Sequence, residues 1–138
     1  MRILGIDYGD ARIGMAISDE NEILATALQP LQNLSMRKSI DAVFSVAAEN
    51  SAGLIVVGLP LNMNGTEGPQ AGKVRAFAEN LGKVSGVPVV MKDERLTTVF
   101  VERAFDETGV KKSRRKALVD SASAQVILQN YLDGQRRR

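Results

Sequence analysis

The sequence predicts an α/β protein in which helices cover a mixed β-sheet. Three short apolar segments follow one another in the first thirty residues, and helical and strand patterns then alternate before two helical patterns end the chain. This order is typical of α/β layer architectures. The length of 138 residues predicts one domain, residues 1–138, because a chain of this size buries about two-thirds of its unfolded surface in a single core.

Five segments have the composition of strands. The first three are Ile3–Asp7, Ile13–Ser18 and Glu22–Ala27. The sequence Asp19-Glu20-Asn21 predicts a hairpin turn between the second and the third. Leu54–Val57 is a continuous apolar run, as expected of a central strand that is buried on both faces. The last predicted strand is Val87–Met91.

Four segments have helical periodicity. The first predicted helix is Met36–Glu49, with Ser35 as a candidate N-cap and Gly53 as the residue that ends it. Its predicted buried face consists of Ile40, Val43, Phe44 and Ala47. The second helix covers roughly Pro69 to Leu81 and buries Val74, Phe77, Ala78 and Leu81. A third helix is expected after Thr97 or Thr98, and a final one from near Ser113 to Leu132.

The chain contains no histidine and no cysteine. Histidine-dependent triads, thiolate nucleophiles, and metal sites built from His or Cys are therefore excluded. An enzyme with this composition depends mainly on Asp, Glu, Lys and Tyr, and oxygen ligands favour Mg²⁺ or Mn²⁺ over zinc. No apolar run reaches eighteen residues and no signal-peptide pattern is present, so we predict a cytoplasmic protein that does not span or bind a membrane.

Three acidic residues stand where a carboxylate is costly unless a partner or metal compensates its charge. Asp7 ends the first predicted strand, Glu94 follows the last one, and Asp120 lies within the apolar face of the final helix. That face also contains Ala117, Ala124, Ile127, Leu128 and Tyr131. Carboxylates that converge from two strand ends and one helix can hold two divalent ions about 3.5–4 Å apart, so these acids predict a metal site.

Each acid also has a competing interpretation. Asp7 could accept hydrogen bonds from the amides of its own turn, and actin-like ATPases begin a phosphate loop with a similar glycine-flanked Asp. Glu94 could belong to a charged surface loop. Neighbouring side chains generally point in different directions, so only one of the adjacent residues Asp93 and Glu94 is expected to be a ligand. Glu94 is the choice and Asp93 is the alternative. An N-cap role for Asp120 fails because the helical pattern begins before it.

Two polar segments are candidates for nucleic-acid binding. The loop that begins at Gly58 carries Asn62 and Asn64, whose amides either close a turn or contact a substrate strand. The net charge is only +2, but a basic cluster that includes Lys112 and Arg115 immediately precedes Asp120. Cations beside a metal site suit a substrate that is a phosphate polymer.

Four motifs together resemble the YqgF (RuvX) family, nucleases that are similar to Holliday junction resolvases. The motifs are Gly5–Gly9 with Ile13–Ala16, Val57–Thr66, Asp93–Thr98 and Asp120–Ala124. Their order and spacing extend the resemblance from Arg2 to about Tyr131. The resemblance implies a ribonuclease H-like fold with a five-stranded mixed sheet flanked by helices.

The resemblance also implies which residues act. The catalytic and metal-binding acids would be Asp7, Glu94 and Asp120, holding Mg²⁺ or Mn²⁺. The shared motifs add Asn62, Arg95 and Thr98 as candidate substrate-binding residues, and the basic cluster adds Lys112 and Arg115. Position 64 is Asn, where relatives often carry Asp. Only three strong acids are visible, whereas the related junction resolvases use four.

The leading hypothesis is a bacterial nuclease that matures the 5′ end of precursor 16S rRNA. An alternative keeps the nuclease chemistry but acts on four-way DNA junctions, and a third hypothesis is a nucleic-acid-binding module without catalysis. A monomer or weak homodimer is expected for the RNA nuclease, whereas a stable two-fold dimer would favour DNA, because resolving a junction needs two active sites.

Overall fold

A computed structural model describes the backbone of residues 1–95 and 112–136, and the side chains of residues 1–95 and 122–136. Its strands are β1 (Arg2–Tyr8), β2 (Arg12–Ser18), β3 (Ala25–Gln32), β4 (Ala52–Leu59) and β5 (Val89–Asp93). Its helices are α1 (Met36–Glu49), α2 (Pro69–Ser85) and α3 (Lys112–Arg136). None of these described helices combines the length and the apolar composition that crossing a membrane requires.

The five strands form one sheet in the order β3-β2-β1-β4-β5. The pairs β1–β2 and β2–β3 are antiparallel, whereas β1–β4 and β4–β5 are parallel. Short connections join the antiparallel strands, whereas α1 connects β3 to β4 and α2 connects β4 to β5. The predicted fold class, an α/β protein with a five-stranded mixed sheet flanked by helices, is therefore confirmed.

One face of the sheet packs against α1 and α2. The helices contribute to this core the buried side chains of Ile40, Val43, Ala47, Ala71, Val74, Phe77, Ala78 and Leu81. The predicted buried face of α2 is confirmed, but Phe44 of α1 is 38% exposed. Phe44 lies beside the buried stripe formed by positions 40, 43 and 47, and this position leaves its ring partly exposed.

The opposite face of the sheet packs against α3, which approaches β1 closely. A Cβ at Gly5 would lie 2.7 Å from Cβ of Leu128 and 3.3 Å from the carbonyl oxygen of Ala124. The helix is also fixed to the start of β3, because Gln129 Oε1 accepts a hydrogen bond from the Ala25 amide at 2.9 Å. The absence of a side chain at Gly5 therefore allows α3 to lie close to β1.

Replacing Gly5 with alanine is expected to lower the free energy of unfolding by about 1–3 kcal/mol. The new methyl group would overlap the buried Leu128 side chain and force α3 away from the sheet. Urea denaturation followed by circular dichroism would measure the loss. An unchanged denaturation midpoint would show that α3 moves without cost, and the close contact would then not be a determinant of stability.

Several boundary predictions are wrong. The second helix continues past the predicted Leu81 to Ser85, and the last strand covers Val89–Asp93 rather than Val87–Met91. The third strand was expected over Glu22–Ala27 but covers Ala25–Gln32, because Asp19 Oδ1 accepts hydrogen bonds from the amides of Ile23 and Leu24 and holds the preceding residues in a turn. The strand continues through Pro30, which is tolerated because β3 is an edge strand.

The predicted end of the first helix is also wrong. Gly53 lies inside β4, and the helix ends earlier, with Asn50 as its C-cap and Ser51 at a positive φ of 53°. The start was predicted correctly, since the Ser35 hydroxyl accepts a hydrogen bond from the Lys38 amide at 3.2 Å. The helix predicted after Thr97 or Thr98 lies outside the described residues.

Candidate active site

The three parallel strands bring Asp7 and Glu94 to one edge of the sheet. The register of β1 and β4 pairs Ile6 with Val57, the residues just before Asp7 and Gly58, and the Glu94 amide donates a hydrogen bond to the carbonyl of Leu59 at 3.1 Å. Because β1, β4 and β5 run in the same direction, their carboxyl ends meet here. This edge is where ligands bind in open α/β sheets.

Gly58 leaves the space that the Glu94 side chain occupies. A Cβ at position 58 would lie 2.9 Å from Oε2 of Glu94 and 2.6 Å from Cδ1 of Ile127, which is closer than real Cβ contacts. The Glu94 carboxyl group therefore lies over β4, between the sheet and α3, and forms a hydrogen bond with Asp7 on the next strand. The sequence predicts Gly58 only as the start of a loop, although a glycine that ends an apolar strand is typical of close approach by another group.

The Glu94 carboxyl group is harder to ionise than that of an ordinary glutamate. Burial, and after it the negative charge of Asp7 and the hydrogen bond with that residue, raises the pKa of Glu94 to about 9. The charge of Asp93 acts in the same direction. The two carboxyl groups are therefore close enough that they do not both ionise at neutral pH in the absence of a cation, an arrangement that is frequent at functional sites.

The Asp93 carboxylate is held by Arg95. Its Oδ1 accepts a hydrogen bond from the Arg95 amide at 2.9 Å, and its Oδ2 accepts one from Arg95 Nε at 2.9 Å. The hydrogen bond from the Arg95 amide, and after it the one from the Arg95 side chain, holds the pKa of Asp93 below its usual range. Of the two adjacent acids, the structure places Glu94 rather than Asp93 next to Asp7, in agreement with the choice made from the sequence.

The backbone of Asp120 lies in α3, about one turn before Ala124. The carbonyl of Ala124 faces Gly5, two residues before Asp7 in β1. Four of the predicted site side chains lie outside those described: Thr98, Lys112, Arg115 and Asp120. Among the described side chains, no set of three acids is placed to share a metal ion, so Asp7 and Glu94 form a pair.

The segment after β4 forms a small hairpin rather than an open loop. The Asn62 amide donates to the Thr66 carbonyl and the Gly65 amide donates to the Asn62 carbonyl, both at 2.8 Å. The side chain of Asn62 donates to the Thr66 hydroxyl at 3.0 Å, and Asn64 Oδ1 accepts from the Thr66 amide at 3.1 Å. Both Asn side chains therefore stabilise the hairpin, and a role of Asn62 in substrate binding stays a prediction.

Arg95 fixes this hairpin to the edge of the sheet. Its guanidinium donates one hydrogen bond to the Met63 carbonyl at 3.2 Å, and a second guanidinium nitrogen lies 2.8 Å from Asp93 Oδ2. The Arg95 side chain nevertheless keeps 37% of its surface exposed. It can therefore hold the hairpin and still present positive charge to solvent at this edge of the sheet.

The stability of the metal-free protein is expected to fall as the pH rises from about 5 to about 9. Because the pKa of Glu94 is raised in the folded protein, its contribution is complete below the ordinary Glu pKa and is lost as the folded group ionises. The loss over this window should be about 2 kcal/mol, since the carboxylate is partly hydrated.

Urea denaturation in EDTA across this pH range would measure the effect. The difference between the wild type and Glu94→Gln isolates the contribution of this group. A difference that does not change with pH would show that Glu94 ionises normally in the folded protein.

A family model described as RuvX, Holliday junction resolvase, matches residues 1–134. The chain is 42% identical over 139 residues to a protein of Thermoanaerobacter pseudethanolicus, with 100% of both chains covered. It is 45% identical over 138 residues to a protein of Caldanaerobacter subterraneus subsp. tengcongensis, with 99% of both chains covered. Both relatives carry the name "Putative pre-16S rRNA nuclease".

Solved structures with the same fold are those of RuvC from Thermus thermophilus and the Holliday junction resolvase of fowlpox virus. The first has a TM-score of 0.61 at 14% identity, covering 99% of this chain and 97% of that one. The second has a TM-score of 0.61 at 13% identity, covering 97% of this chain and 99% of that one. The structure of the RuvC protein in complex with Holliday junction substrate has also been solved. Its TM-score is 0.60 at 15% identity, and the match covers 99% of this chain and 96% of that one. At these identities the likeness shows the fold alone, and the predicted ribonuclease H-like fold is confirmed.

Proposed function

Since this chain belongs to the RuvX family, we propose that it is a metal-dependent nuclease whose substrate is precursor 16S rRNA in the bacterial cytoplasm. The observation that supports this most strongly is the pair of Asp7 and Glu94 at the carboxyl edge of the parallel strands. By itself, a pair of acids that shares one proton does not bind a phosphate polymer, because the remaining negative charge repels the phosphates. The pair is useful to a nuclease when cations are recruited between the acids and the phosphate.

The residues present fit a hard divalent cation. Asp7 and Glu94 supply carboxylate oxygens, no histidine competes for the site, and the space over Gly58 brings the Glu94 carboxyl group to Asp7. Asp120 of α3 would complete the set. When bound there, Mg²⁺ or Mn²⁺ would lower the pKa of an attacking water and neutralise charge on the scissile phosphate.

The side chains of this protein would contribute positioning and proton release. Glu94 would release its proton in order to hold a cation, because the ionised form would then be stabilised, so cation binding would strengthen as the pH rises towards 9. Asp7 and Glu94 are fixed by neighbouring strands, and this rigidity orients their oxygens before the substrate arrives. Arg95 follows Glu94 in the chain and keeps part of its charge exposed, where it could contact a phosphate. Asn62, Thr98, Lys112 and Arg115 are the further candidates for substrate contacts.

Cleavage assays would test this proposal. A precursor 16S rRNA fragment and a four-way DNA junction would each be incubated with wild type and with Asp7→Asn, in Mg²⁺, Mn²⁺ or EDTA. We expect metal-dependent cutting of the RNA that is lost in the variant. A matched control is Asp41→Asn, because Asp41 lies on α1, away from this edge of the sheet.

The outcomes separate the candidate functions. The solved complex of RuvC with a Holliday junction favours a junction as the second candidate substrate, and preferential cutting of the DNA would support it. A stable dimer in sedimentation experiments would support the same conclusion. Equal inactivity of wild type and Asp7→Asn, with RNA binding retained, would overturn the proposed catalysis.

A further inference from the structure

A cavity of about 470 Å³ opens at the carboxyl end of β5, the strand that Glu94 directly follows. Its described lining residues are Met63, Lys92, Asp93 and Arg95. The volume lies within the ~300–1,000 Å³ range of small-ligand sites. The lining combines one large apolar side chain, the ion pair of Asp93 and Arg95, and the cationic Lys92, a combination that suits a nucleotide better than a purely apolar ligand.

Met63 is the apolar part of this lining, and its position is fixed although its side chain is exposed. The residue lies at the tip of the hairpin and has 66% of its surface exposed. Its carbonyl accepts a hydrogen bond from Arg95 at 3.2 Å, and the hairpin around it is closed by the backbone bonds of Asn62. A single exposed apolar residue needs no explanation, but a fixed one that lines a cavity offers a binding surface.

Lys92 is the cationic part. It pairs with Gly58 in the β4–β5 register, so it lies directly beside the residue over which Glu94 passes. The charge of Asp93 is already matched by Arg95 at 2.8 Å, whereas Lys92 forms no ion pair or hydrogen bond within residues 1–95 and 122–136. The ammonium group of Lys92 therefore adds positive charge to the cavity at the edge of the candidate active site.

We propose that this cavity binds one unpaired nucleotide of the RNA next to the scissile bond, with its base against Met63 and its phosphate contacting Lys92. The proposal rests on the proposed function and names a feature of the substrate. A base in a duplex is stacked on both faces, so only an unpaired base can present a face to Met63. Methionine packs well against aromatic rings, and the chain has few aromatic residues to do so. Arg95 would act as a positioning residue, since it holds the Met63 backbone.

Binding of RNA in EDTA would test the subsite without cleavage. Dissociation constants would be measured by fluorescence anisotropy for a short single-stranded RNA and for the same RNA in a duplex. We expect Met63→Ser to weaken binding of the single strand about fivefold to tenfold and to leave duplex binding unchanged. Lys92→Gln should weaken binding of the single strand and reduce its salt dependence by about one phosphate contact.

Matched controls are Met36→Ser and Lys83→Gln, which alter an exposed methionine and an exposed lysine on the helices α1 and α2. Both should bind like the wild type. If Met63→Ser binds the single strand and the duplex as the wild type does, the subsite is disproved even when the wild type cleaves RNA normally. If the wild type cleaves neither RNA nor junction, the proposed function fails, and the binding constants still decide whether the subsite exists.

Discussion

Replacing Glu94 with glutamine is expected to lower the rate of RNA cleavage at least about a hundredfold while making the metal-free protein more stable. The amide preserves the size of the side chain and a hydrogen bond with Asp7, but it removes a negatively charged oxygen ligand. At pH 8 it also removes the cost of keeping a carboxyl group protonated in the folded state, because the pKa of Glu94 is raised to about 9. The gain in stability should be about 1–2 kcal/mol.

Single-turnover cleavage and urea denaturation in EDTA would measure the two effects on the same preparation. Glu49→Gln provides the control, since Glu49 is an exposed acid at the end of α1 and lies far from the sheet edge. Wild-type activity in Glu94→Gln would remove Glu94 from the active site. A variant that is less stable than the wild type at pH 8 would show that the folded protein already stabilises the ionised form.

Replacing Gly58 with alanine is expected to have the second-largest effect, on stability and activity together. The added methyl group would meet Glu94 Oε2 at 2.9 Å and Cδ1 of Ile127 at 2.6 Å, so either the carboxyl group or α3 must move. We expect a loss of about 1–3 kcal/mol in the free energy of unfolding. Because a displacement of 1 Å in a catalytic group is costly, cleavage should fall about a hundredfold.

Gly72→Ala is the matched control for this substitution. Gly72 lies in α2, and a Cβ there would meet no atom within 4 Å. The same chemical change should therefore leave cleavage unchanged and raise stability by about 0.5–1 kcal/mol, since alanine favours a helix. Retention of full activity by Gly58→Ala would mean that Glu94 reaches its working position by another route. The comparison of the two variants separates a general effect of losing glycine from the specific loss of space at position 58.

The features that could be predicted from the sequence are those with a local cause. The start of α1 follows from the Ser35 hydroxyl that caps it, and the buried stripe of α2 follows from helical periodicity. The meeting of Asp7 and Glu94 at one edge of the sheet also follows from local signals, because Asp7 ends the first apolar segment and Glu94 follows the last strand.

The features that could not be predicted depend on contacts between distant segments. Nothing near Gly58 in the sequence indicates that a side chain thirty-six positions later will lie over it. The hairpin that carries Met63 is likewise fixed by Arg95, which follows a different strand. The continuation of β3 through Pro30 depends on its edge position in the assembled sheet, which the order of residues alone does not indicate.

The packing of α3 across the sheet also sets the order in which a ribosome-bound chain can complete its folding. Gln129 accepts the hydrogen bond of the Ala25 amide across 104 positions, and Ile127 covers the face on which Glu94 lies. Synthesis proceeds from the N-terminus, so the strands emerge long before the helix that covers them. A nascent chain is therefore expected to expose an uncovered apolar face until α3 has been made, and the enclosed site over Gly58 forms only when α3 can pack on the sheet.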